Sequence, residues 1–142
     1  MGVTVTAKNS SYGFDMGAGG FFNLRKNIAL ALDNDFGLNY AEIISCQTKE
    51  QHRENDKKAE QIINEKNLEE KYSDVLDFLY MSDCDGKIGY RTCRKIVDLL
   101  EPCIPALKTK TFRYAIYAKN DYEEFLAFLR ECVRYRRNMT WY

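Results

Sequence analysis

The chain has 142 residues, 45% hydrophobic, 13% aromatic and 30% charged, which is enough apolar surface to build one core and too much for a disordered polymer. Lys plus Arg equals Asp plus Glu at 21 each, which argues against the uniformly basic field of a sequence-independent nucleic-acid binder while leaving room for a local basic patch, and no nucleic-acid polymer is expected as a partner. Five irregularly spaced cysteines without a CxxC pair suit reduced thiols, and the single histidine, His52, sits among Glu50, Arg53 and Glu54, which argues against a histidine metal centre or a Ser-His-Asp triad.

The alternation Val3, Thr4, Val5, Thr6 predicts a strand over 3 to 8, followed by the turn formers Asn9, Ser10 and Ser11 and a second β-type stretch from Tyr12 to Asp15. A hairpin or a two-part edge strand results. The opening MGVTVT also fits the loose myristoylation pattern of Gly2 and Thr6, but a strand is the simpler reading. The glycines of "MGAGG" (16 to 20) are expected to stop that strand. Phe21, Leu24, Ile28, Ala31 and Leu32 then recur at helical spacing and predict a helix from Phe21 to Leu32. "DNDFG" closes it, and "LNYAEIISC" reads as a short strand or an irregular segment packed beneath.

Residues 47 to 67 carry only Ala59, Ile62 and Ile63 as apolar content at high helix propensity, which predicts a surface helix or an insertion. Leu68, Tyr72, Val75, Leu76 and Leu79 share a helical face and predict a helix over 68 to 81. Cys93, Ile96, Val97 and Leu100 mark another, stopped near Glu101 by Pro102 and Pro105. The aromatic-rich stretch 109 to 119 is compatible with helix or strand, helix being preferred. Asn120 or Asp121 is a candidate N-cap for a final helix whose stripe is Tyr122, Phe125, Leu126, Leu129, Cys132 and Val133, with Glu123 and Glu124 in its first turn. "MTWY" (139 to 142) reads as a terminal strand beside the N-terminal one. The fold class is therefore α+β: one mainly helical domain over 1–142 with a small antiparallel sheet. No apolar run approaches the roughly 18 residues of a membrane span and no secretory signal is present, so a cytoplasmic location without a membrane partner is expected.

"SDCDGKIG" (82 to 89) matches the middle of a calcium-binding loop. With Gly86 at the glycine position, Asp83 and Asp85 fall on liganding positions and Ile88 on the aliphatic one, but Met81 and Thr92 occupy the two ends where carboxylates are required. An acidic, glycine-assisted helix connection is the better reading, with Ser82 and Asp83 capping backbone groups and Ile88 in the core. No metal or other cofactor is expected.

"DMGAGGFFNLRK" places Gly17, Gly19 and Gly20 before a predicted helix that begins at Phe21 and carries Arg25 and Lys26. N–H groups at a helix start hold phosphate well, although neither the P-loop nor the GxGxxG pattern is present. At the other end Arg130, Arg134, Arg136 and Arg137 accompany Tyr135, Trp141 and Tyr142, a composition that binds phosphate and stacks bases and that also suits a helix C-terminus without any ligand.

The two blocks "YGFDMGAGGFFNLRKNIA" and "LDFLYMSDCDGKIGYRTCRKIVDLL" resemble a family of small uncharacterised proteins of bacteria and their phages, which carry an "MGYGxFxxxR" opening and an "HSDCDGEI" loop before a helix. Met81 stands where that pattern has histidine, Lys87 where it has an acidic residue, and 47 to 67 reads as an insertion. The resemblance implies a phage or bacterial cytosolic domain and no reaction. The function expected is non-enzymatic binding of a small anionic ligand, a nucleotide signal sequestered by a phage-encoded sponge, with Gly17, Gly19, Gly20, Phe21, Arg25, Asp83, Asp85, Arg134 and Trp141 as candidate binding residues. The alternatives are a module that binds and inhibits a host protein and, less favoured, a calcium-modulated domain; self-association stays open.

Overall fold

The computed structural model describes residues 2–7, 13–107 and 122–142. Two strands, β1 (Gly2–Ala7) and β2 (Gly13–Gly17), form the antiparallel hairpin that the alternation predicts, with Val3 opposite Met16 and Val5 opposite Phe14. The turn at 8 to 12 lies outside the described residues. Val3, Val5, Ala7 and Met16 are buried while Thr4, Asp15 and Thr6 face outward, so one sheet face is apolar and the other polar.

The glycine-rich segment is not a turn. β2 runs to Gly17 and helix α1 (Ala18–Leu32) begins at the next residue, so Gly19 and Gly20 lie within the helix. The Phe21, Leu24 and Ile28 side chains then point into the core, as their spacing requires. One residue, Asp33, separates α1 from α2 (Asn34–Ala41), its carboxylate accepting from the Phe36 N–H at 2.9 Å. Asn34–Ala41 is thus helical, whereas the sequence predicts that "DNDFG" closes the first helix and that "LNYAEIISC" is a short strand or an irregular segment. The missed signal is a cap three residues before Phe36, with Phe36 and Tyr40 four apart and both buried. The corner is tight because Gly37 packs on Leu30, whose backbone nitrogen would lie 2.6 Å from any added Cβ.

A 3₁₀ turn (Glu42–Ser45) leads to α3 (Lys49–Glu65), which starts in a reciprocal capping box between Thr48 and Gln51. It is a regular surface helix that buries Asn55 and Ala59. Helix α4 (Leu68–Tyr80) follows from Asn67, whose φ of 52° places it in the left-handed region that asparagine tolerates. A turn through 81 to 85 gives β3 (Gly86–Ile88), then α5 (Tyr90–Leu100), a 3₁₀ turn (Glu101–Cys103) and α6 (Ile104–Leu107). The 109 to 119 segment and the Asn120 or Asp121 cap lie outside the described residues. Helix α7 (Tyr122–Arg134) packs on α5, and β4 (Met139–Trp141) ends the chain's regular structure.

The sheet order is β2-β1-β4-β3, antiparallel throughout. The C-terminal strand therefore sits between β1 and β3, with Trp141 opposite Val5 on one side and Gly86 on the other. An α+β single domain results, mainly helical with a four-stranded antiparallel sheet. Among the described residues no helix is long and apolar enough to cross a membrane.

Candidate functional site

The two quoted blocks meet at one side chain. Arg25 projects from α1 to the C-terminal end of α4, where its Nη1 donates to the Met81 carbonyl at 2.7 Å and the Leu79 carbonyl at 3.4 Å, and its Nη2 donates to the Ser82 carbonyl at 3.2 Å. Those carbonyls belong to the end of a helix, where acceptors lack intrahelical partners and a cation is favourable. The guanidinium lies 4.3 Å from the Phe21 ring centroid, 5.1 Å from Phe78 and 5.8 Å from Trp141. Burial pushes its pKa down, while the Tyr40 oxygen and the more distant Asp83 carboxylate hold it up. Among the described residues no carboxylate stands within ion-pair distance of Arg25, and its Nε is buried without a hydrogen-bond partner.

Trp141 completes this hub from β4. Its indole N–H donates to the Ser82 carbonyl at 2.9 Å, and its ring packs tilted on Phe21 at 5.6 Å and edge-on to Phe78 at 5.4 Å. At 1% exposure it has no ring face to offer a base, which corrects the expectation that it joins the basic tail in stacking one. Its position also explains Gly86: a Cβ there would lie 2.2 Å from the Trp141 ring. The glycine that aligns with a calcium loop is thus required by a tryptophan. Ser82, Asp83, Cys84 and Asp85 are exposed, and Ser82 Oγ accepts from the Cys84 N–H as its expected capping role requires. Among the described residues no three histidine, cysteine or acidic side chains are grouped to hold a metal ion.

A pocket of about 320 Å³ opens beside Arg25, walled by Phe22, Tyr40, Ile43, Tyr80 and Met81 with Asp83 at its edge. The Tyr40 hydroxyl donates to the Leu79 carbonyl at 2.7 Å, and burial pushes its pKa up. Of the candidate residues, Phe21, Arg25, Asp83 and Trp141 therefore come together. Gly17 ends β2 opposite Gly2, Gly19 is exposed and Gly20 buried within the first turn of α1, and Asp85 stands in solvent. Arg25 lies five to eight residues beyond those glycines and faces α4, so it does not join the helix-start N–H groups in the expected anion site.

Arg134 belongs to a different opening. A cleft of about 610 Å³ between α5 and the end of α7 is lined by Tyr90, Arg91, Arg94, Lys95, Arg134 and Arg136. Asp98 is the one lining carboxylate among the described residues, and a second, Asp74, pairs with Lys95 at 2.9 Å. Partial burial raises the Asp74 pKa, but hydrogen bonds from Lys95 and Thr92 outweigh it and hold the group below the ordinary carboxylate range. Arg91 and Arg94 are exposed on the side of α5 opposite Cys93, Ile96, Val97 and Leu100. They were legible in the sequence as the polar face of that helix, but only tertiary packing brings them against the basic tail. Comparison with protein-family models, with curated proteins and with solved structures finds no match to this chain.

Proposed function

We propose that the protein is a non-enzymatic binder of a small phosphorylated anion of the nucleotide class, held in the cleft between α5 and α7 and so withdrawn from solution. One observation carries the reading: in a chain of zero net charge, Arg91, Arg94, Arg134 and Arg136, with Lys95 paired to Asp74, converge on one concavity that among the described residues is lined by a single carboxylate, Asp98. Such a concentration of arginine is repulsive unless an anion neutralises it, and guanidinium groups match phosphate oxygens in pairs. Tyr90 adds a half-buried ring to the wall.

The test is thermal shift and calorimetry with cyclic and linear nucleotides, together with mass spectrometry of small molecules released on denaturation. A nucleotide that raises the melting temperature should lose about tenfold in affinity for each of Arg91→Ala, Arg94→Ala and Arg134→Ala, with little change in the stability of the free protein. No released anion and no shift with any nucleotide would sink the proposal.

A host-protein partner is the second reading. It is favoured by Leu38 and Ile44, which are exposed beside the polar surface of α3. Co-purification of a host protein that survives Arg94→Ala but is lost in Leu38→Asp/Ile44→Asp would select it.

A further inference from the structure

The pocket beside Arg25 differs in chemistry from the cationic cleft. Its volume falls within the range of small-molecule sites, and its walls include the rings of Phe21, Phe22, Tyr40 and Tyr80. Phe22 and Tyr40 stack at 5.8 Å with 11° between their planes, and Tyr80 stands edge-on to Tyr40 at 5.7 Å. Flat apolar surface of that kind suits a flat apolar body.

Arg25, 5% exposed, lines the same pocket. Neutral carbonyls offset only part of the desolvation cost of a buried cation that has no counter-ion. Buried side-chain donors nearly always find an acceptor, yet the Arg25 Nε–H has none among the described residues. Both deficits have the same sign, since among the described residues no negatively charged group stands within hydrogen-bond reach of Arg25. Asp83 at the edge acts on the guanidinium only at longer range and makes no hydrogen bond to it.

We propose that this pocket binds a small planar aromatic carboxylate, its ring against Phe22, Tyr40 and Tyr80 and its carboxylate toward Arg25, which lines the pocket and whose Nε–H lacks an acceptor among the described residues. A carboxylate matches the fork of a guanidinium and brings one charge to meet one. A multiply charged phosphate would exceed that compensation and meet Asp83 as well. The inference is independent of the α5–α7 cleft.

The probes are naphthoate and its uncharged isostere naphthamide, titrated into the full chain and followed by calorimetry and by amide chemical shifts. Naphthoate should bind, move the Tyr80 and Met81 amides, and exceed naphthamide in affinity about tenfold or more, the loss expected for one charge-assisted hydrogen bond. Tyr80→Ala, at a position 47% exposed, should keep the fold and weaken naphthoate about threefold to tenfold. The double variant Arg91→Ala/Arg94→Ala should leave naphthoate binding unchanged, whatever becomes of nucleotide binding. Equal affinity for the two probes, naphthoate binding lost in that double variant, or no naphthoate binding at millimolar concentration would each overturn the proposal.

Discussion

At Gly86 the cost of a single methyl is set by a neighbour 55 positions away. The Trp141 ring lies over that backbone so closely that alanine cannot be added without moving the ring, and the ring is itself held by Phe21, Phe78 and the Ser82 carbonyl. Gly86→Ala should therefore destabilise the protein by about 1 to 3 kcal/mol, as overpacking in a core does. Denaturant melts would read the loss, and Trp141 fluorescence in the native state would report the displaced ring. Unchanged stability with unchanged emission would show that the contact is slack. At Arg25 the same region uses a cation to close a helix end, and two of its three carbonyls also accept from a second side chain: Leu79 from Tyr40, Ser82 from Trp141.

Among the elements, α2 shows how much a cap decides. Asp33 accepts from the Phe36 N–H and pairs with Lys66, which also reaches Asp35 at 2.8 Å. Its limited burial raises its pKa, but the Phe36 N–H and Lys66 outweigh this and hold it below the ordinary carboxylate value. A carboxylate with a depressed folded pKa contributes stability that is full above its unfolded value of about 3.8 and is lost as pH falls through the folded value. Asp33→Asn keeps a capping oxygen and removes the charge, so its deficit should be present at pH 7 and vanish in strong acid. Asp33→Ala loses the cap as well and should cost about 1 to 2 kcal/mol at pH 7, with part of that remaining in acid. Urea unfolding of both variants across pH 2.5 to 7 measures the difference; parallel curves at all pH values would mean that Lys66 contributes nothing there.

For the molecule as a whole, the decisive feature is β4 between β1 and β3. It pairs the first strand with the strand after the acidic turn and carries Met139 and Trp141 into the core. Removing residues 139 to 142 would unpair β3 and strip one side of β1. Loss of the Trp141 side chain alone is worth about 3 to 5 kcal/mol, against a total stability of about 5 to 15 kcal/mol for a domain. The truncated chain should lose its cooperative thermal transition by circular dichroism and become susceptible to proteolysis. A sharp melt in the truncated protein would show that the helices form a core without the sheet.

The sequence alone determined what depends on local periodicity. Alternating Val and Thr made β1, the apolar stripes made α1, α4, α5 and α7 with boundaries near those expected, and the scarcity of apolar residues put α3 on the surface. Each follows from burying one face of one element, which neighbouring residues encode. Tertiary structure alone decided β3, three residues that are a strand only because β4 pairs with them, whereas α2 rests on the local Asp33 cap together with the burial of Phe36 and Tyr40. Tertiary structure also decided the sites. Arg25 and Arg134 look alike in the sequence as cations near glycine or aromatic residues, but long-range packing buries the first against three carbonyls and leaves the second open in a cationic cleft, because burial and counter-charge are set by residues 50 or more positions away in the first case and by the meeting of two helices in the second.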